Sequence, residues 1–215
     1  LAPAGSYVPT SGATIVTLAS PGTYIPITGA SSSSVALPAP VGAYIPVTGA
    51  SSSSAAILAA PGTYVPTVGA SAATLAPIGS YVARSGASAP TLAAPGSFVS
   101  NTGAASATPA PVGTYVSTAG ASSATQAPVG SYVGTVGATT ATLAAPGSYV
   151  AVTGASAATL APAGYYVATS GAASATPATP GTYVPTSGAS AATVAPAGRY
   201  VTTSAATNVK LDRKR

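Results

Sequence analysis

The groups in this chain with any capacity for chemistry are hydroxyls. Ser and Thr occur throughout, and an aromatic ring recurs at Tyr7, Tyr24, Tyr44, Tyr64, Tyr81, Phe98, Tyr115, Tyr132, Tyr149, Tyr166, Tyr183 and Tyr200. A hydroxyl becomes a useful nucleophile only when a base takes its proton. The 215 residues include no His and no Cys, and Asp212 is the only acid. No Ser–His pair, no carboxylate pair for general acid–base work and no thiolate metal site can therefore be assembled. A Ser–Lys arrangement would have to use Lys210 or Lys214, both in the C-terminal tail, and is rejected. Calcium-binding β-helix repeats need Asp in every coil, and a phosphate loop needs a fixed Gly cluster before a helix. Neither pattern occurs. No catalytic, cofactor-binding or metal-ligating residue is assigned, no cofactor is expected, and the chain reads as a non-enzyme.

The charge pattern also limits the choice of partner. Only 3% of residues are charged, against roughly 25% in an ordinary soluble domain. The net charge of +5 is concentrated at one end, since five of the seven charged residues are Lys210, Asp212, Arg213, Lys214 and Arg215. Arg84 and Arg199 are the other two. Nucleic-acid binding needs a basic stripe that displaces counterions, so a short tail reads as a solvated end and no nucleic-acid partner is expected. Pro and Gly recur too often for an apolar helix of about 20 residues, so no membrane span is expected.

The aromatic belongs to a longer figure, as in Ala59-Ala60-Pro61-Gly62-Thr63-Tyr64-Val65 followed by Gly69-Ala70. It occurs twelve times at a spacing of 17 residues, with two consecutive gaps of 20. A fixed short period is the signature of a solenoid or array. The repeats run 1–17, 18–37, 38–57, 58–74, 75–91, 92–108, 109–125, 126–142, 143–159, 160–176, 177–193 and 194–210, with 211–215 as a basic tail. An Ala lies five before the aromatic and a Val or Ile directly after it. A Gly lies two before it, at Gly5, Gly22, Gly42, Gly62, Gly79, Gly96, Gly113, Gly130, Gly147, Gly164, Gly181 and Gly198. Eleven repeats carry Gly-Ala five and six after the ring, and the last has Ala205 in place of that Gly.

The glycines before the ring, with the Pro that precedes them, predict tight turns. Aromatic, β-branched and Thr residues between such punctuation predict short strands. Two strands and two turns in 17 residues make one coil. The predicted fold is therefore all-β: a β-solenoid of twelve coils with two short strands each around a thin Ala/Val core. Pro9, Pro26, Pro46, Pro66 and Pro185, two after the ring, require the first strand to end there. The longer repeats carry Ser31–Ser34 and Ser51–Ser54, expected as neighbouring loops on one edge. Elastin-like disorder is disfavoured, because Gly (24) and Pro (21) fall short of the ~25–30% of low-complexity chains and every column keeps its phase.

Written A-P-x-G-[ST]-Y … G-A-x-x-A, the unit resembles the cysteine-rich repeat of the ephrin-receptor-like family, C-P-x-G-T-Y … G-A-x-x-C. Both cysteine columns are Ala here, as at Ala76 and Ala73, Ala127 and Ala124, and Ala161 and Ala158. The chain looks like a cysteine-free version of a repeat found in long bacterial secreted or surface proteins. The resemblance spans essentially 1–204 and implies an extracellular or cell-surface repeat with no active site. Without disulfides, stacking must hold the coils. Like residues are expected to form columns, each rung bonding to its neighbours at ~4.8 Å, so that twelve rungs measure about 55–60 Å.

Within a strand Tyr and Val face opposite ways. Val8, Val65 and their equivalents are placed inward with Ala, and the rings outside or at a corner as a packing ladder, where each offset pair contributes roughly 0.5–1.5 kcal/mol. Exposed rings would also allow lateral bundling. The single Thr column (Thr17, Thr74, Thr91, Thr108, Thr125, Thr142, Thr159, Thr176, Thr193) resembles, more weakly, the ice-binding face of small β-solenoids. It reads more simply as strand Thr facing solvent.

The first repeat begins at once with Leu1-Ala2-Pro3, with no signal peptide and no cap, so either processing or excision from a longer protein is expected. Open strand edges template further pairing, and a nearly uncharged body lacks the repulsion that keeps chains apart. The functional expectation is a structural subunit of an extracellular fibre, stacking head to tail on itself. The alternatives are a stalk or adhesin segment of a larger surface protein, and an ice-binding protein.

Overall fold

The computed structural model describes residues 1–211; the remainder of the basic tail lies outside the described residues. The fold is all-β and repeats every coil, as the periodicity predicts. Packing divides the chain into two compact units. The first holds Leu1–Ala94, Phe98–Thr108 and Ala119–Ser122; the second holds Pro95–Ser97, Pro109–Thr118 and the described chain from Ser123 onward.

Each coil contains one minimal antiparallel hairpin of two-residue strands. Ser6–Tyr7 pairs with Thr17–Leu18, Thr63–Tyr64 with Thr74–Leu75, and Ser148–Tyr149 with Thr159–Leu160. The ring-bearing strand is entered through a four-residue turn such as Pro77–Ser80, where the Ser80 amide donates to the Pro77 carbonyl at 3.0 Å. Gly79 in third place has φ +80°, the requirement of a type II turn. All twelve turn glycines adopt positive φ. The strand then ends after the ring, in agreement with the Pro column.

The expected ladder of like residues is not what joins the coils. Each ring-bearing strand pairs only with the strand that ends its own repeat and opens the next, and the remaining bonds between coils come from amides that link unlike columns. In the first unit, Gly62 donates to Val82 (2.8 Å) and Val65 to Ala87 (3.0 Å). In return Gly86 donates to Ala59 (2.8 Å) and Ala76 to Gly62 (2.9 Å). In the second unit, Gly147–Val167, Val150–Ala172, Gly171–Ala144 and Ala161–Gly147 repeat the pattern at 2.8–3.0 Å. The reason is steric. With Pro or Gly every few residues no strand exceeds two residues, too short for a stacked ladder, so main-chain donors left over in the turns find acceptors in the next coil. This also explains Pro38, Pro109 and Pro177 in the second strand. A two-stranded pair has a free outer edge, where a missing N–H is harmless.

The core is thin, as composition requires. Ala19, Ile25 and Ala30 form one cluster, and Ala39, Ile45 and Ala50 another. The Ala before the turn and the Val/Ile after the ring stay buried along most of the chain, with Ala76, Ala127 and Ala161 fully so, whereas the third column is buried at Ala30 and Ala50 and half-buried at Ala70, Ala87 and Ala104. The inward placement of the Val/Ile column is correct from Ile25 to Val201; Val8, in the first coil, is only half-buried. No buried polar side-chain atom lacks a partner among the described residues.

Candidate functional site: the junction between coils

The coil-to-coil junction is where nearly every recurring residue of the sequence meets. The turn Gly supplies a donor and an acceptor, the Val/Ile and the Ala before the turn each supply one of each, and the Gly-Ala pair supplies one donor and one acceptor. These four bonds recur at each of the eleven successions of coils, with lengths of 2.7–3.1 Å. A second relationship spans two coils. A Cβ built on Gly62 would overlap the carbonyl oxygen of Gly103, and one on Gly147 that of Gly188. The glycine Cα therefore lies in contact with that oxygen, the geometry of a weak Cα–H···O bond. Three consecutive coils are thus needed to complete one coil's surroundings.

The aromatic column contributes by cover. Tyr7 packs on the Ala19–Ile25–Ala30 cluster of the following coil, and Tyr24 on Ala39–Ile45–Ala50. The rings from Tyr7 to Tyr183 are half-buried, and Tyr200 is 42% exposed. Phe98 holds the same place without a hydroxyl. The ring is thus a lid on its neighbour's core, half-buried where the sequence left it either outside or at a corner.

One feature of the turn escapes the column reading. In five coils the Ser or Thr directly before the ring returns its hydroxyl to the carbonyl that opens the turn: Ser6 to Pro3 (2.8 Å), Thr23 to Ser20 (2.8 Å), Thr63 to Ala60, Thr114 to Pro111 and Thr182 to Thr179 (2.7 Å each). The signal was present in the sequence, since this column is Ser or Thr in nine of the twelve coils.

Ala205 takes φ +53°, the only non-glycine residue with positive φ among those described. It keeps the junction, donating its amide to Ala178 at 2.8 Å. Its carbonyl oxygen occupies the place over Gly164 that a glycine's would.

The remaining hydroxyls are outside. The nine Thr of the strand column are exposed. A cavity of about 600 Å³ lies between the first coil's Val8–Val16 segment and Leu1, Ala2 and Ala30, and is lined by apolar groups and hydroxyls. Arg84 borders a hollow of about 230 Å³ beside Tyr81. Lys210 lines another of about 220 Å³ with Thr202, Thr203 and Thr207. Among the described residues no three His, Cys, Asp or Glu come together, and no helix is long and apolar enough to cross a membrane.

No protein-family model and no curated protein sequence matches this chain.

Proposed function

We infer that the chain is a non-enzymatic structural subunit of an extracellular fibre, in which coils of one copy stack on coils of the next. The observation that supports this is the uniformity of the junction. Its four bonds use only main-chain groups and its packing repeats the same Ala, Gly, Val/Ile and aromatic columns, so no junction is addressed to a particular partner coil. The contact is heterologous, which generates open filaments. A body without charge between Leu1 and Ala83 offers little repulsion to a second copy. The likeness to the ephrin-receptor-like repeat supports an extracellular or cell-surface setting. The same junction serves equally within one longer chain, which favours as second reading a stalk segment of a surface protein. Neither reading involves a cofactor or nucleic acid.

Gly181 and Gly198 supply the test. A Cβ on either meets nothing within 4 Å, whereas by the two-coil relationship a first added coil would bring a carbonyl oxygen to Gly181 and a second one to Gly198. Electron microscopy and sedimentation over rising concentration should show filaments for the natural chain. Gly181→Ala/Gly198→Ala should fold yet stay monomeric. Monomers of the natural chain at all concentrations would overturn the reading, as would filaments undiminished in the variant.

A further inference from the structure

The two serine loops are the only departures from the 17-residue period, and they are built alike. Each forms one 3₁₀ turn, Ser33–Val35 and Ser53–Ala55. Each is capped by the preceding serine: Ser32 accepts from the Ser34 amide, and Ser52 from the Ser54 amide, both at 3.1 Å. The cap residues share one conformation, φ −152° and ψ 150° against φ −156° and ψ 163°. Behind each turn, Val35 and Ala36 pack on the Ala19–Ile25–Ala30 core, and Ala55 and Ala56 on Ala39–Ile45–Ala50. These are therefore fixed knobs, not slack insertions.

Their hydroxyls differ in availability. Ser32 and Ser52 are engaged in capping, and Ser54 hydrogen-bonds to Ser52. Ser31, Ser33, Ser34, Ser51 and Ser53 are exposed with no hydroxyl hydrogen bond among the described residues, and of these Ser33 and Ser53 hold the same place at the start of each 3₁₀ turn. No charged side chain occurs anywhere from Leu1 to Ala83, so an enzyme that selects its site by neighbouring charge finds nothing to read. A transferase that selects exposed hydroxyls among small uncharged residues does.

We propose that Ser33 and Ser53 are acceptor sites for O-linked sugar. The Oγ atom attacks the anomeric carbon of a phosphate-activated sugar donor. The Oγ–C1 bond forms, the bond from C1 to the phosphate oxygen breaks, the phosphate departs with that electron pair, and the hydroxyl proton passes to the transferase's base. The attached sugars supply the hydration that a body with almost no charge lacks. The inference is independent of fibre formation.

The experiment is peptide mass spectrometry with alkaline β-elimination on the protein recovered from the organism that makes it. Sugar masses are expected on peptides containing Ser33 and Ser53, at least tenfold more abundant than on Ser71 and Ser88, exposed serines of shorter coils. Ser33→Ala/Ser53→Ala, which leaves both caps and both cores intact, should lose that signal while the chain still folds by circular dichroism. Unmodified knobs, phosphate instead of sugar, sugar spread evenly over all coils, or sugar on the knobs undiminished in the variant would each overturn the proposal.

Discussion

The Cα of Gly62 lies against the carbonyl oxygen of Gly103, two coils further along, with no space for a methyl group between them. The period of the sequence is one coil, but the unit of structural completeness is three. Two demands fall on the same glycine, a positive φ of +86° and this close approach. Mutation can separate them.

Gly62→Ala violates both demands, while Gly181→Ala violates only the first, because Gly181 has φ +87° and open space beyond it. The φ term costs roughly 1–2 kcal/mol, and crowding against fixed backbone adds about 1–3 kcal/mol. Gly62→Ala should therefore be the more destabilising by about 1–3 kcal/mol in denaturant unfolding of dilute monomer. Equal losses would show that the two-coil contact has no energetic weight.

Ala205 offers the reverse experiment. Its φ of +53° is strained for a residue with a Cβ. Ala205→Gly should relieve roughly 1–2 kcal/mol of strain, less about 0.5–1 kcal/mol for the freer unfolded chain. The gain is local, so it should appear as slower hydrogen exchange of the residue-205 amide, which is bonded to Ala178. Faster exchange would contradict it.

The ring's role as a lid predicts that its area matters and its hydroxyl does not. Tyr24→Ala uncovers Ala39, Ile45 and Ala50 and, for a half-buried ring, should cost about 2 kcal/mol, roughly half the figure for a fully buried aromatic. Tyr24→Phe should lie within about 0.5 kcal/mol of the natural chain, as Phe98 in the same column suggests. Calorimetric melting of both variants checks the contrast.

Val65 and Val68 make a similar pair, three residues apart and 1% and 61% exposed. Val65→Ala removes two buried carbons and should cost about 1.5–3 kcal/mol. Val68→Ala should change stability by less than about 0.5 kcal/mol. Urea midpoints distinguish them, and comparable losses would mean that Val68 is covered by something in solution.

Acid should have little effect. Proteins unfold in acid largely because native carboxylates must be protonated or buried neutral His must charge. The chain has no His and its single acid is Asp212, so the slope of stability with pH is near zero from neutrality to about pH 3. Circular dichroism across that range should superimpose; a cooperative loss of signal in acid would refute this.

The sequence by itself determined the coil. Gly two before each ring, Pro ahead of it and Val or Ile after it set a tight turn, a two-residue strand and an inward aliphatic, because each preference acts within a few residues. Charge and residue inventory likewise limited the chemistry before any coordinates. What only the tertiary structure decided is how coils meet. The sequence favoured like-on-like rungs because equal columns suggest equal heights. The structure instead bonds Gly62 to Val82 and Gly86 to Ala59, since the amides free to pair are those in turns, and which acceptor each meets depends on where the neighbouring coil places its carbonyls. That placement is a property of packed neighbours and is written in no single repeat.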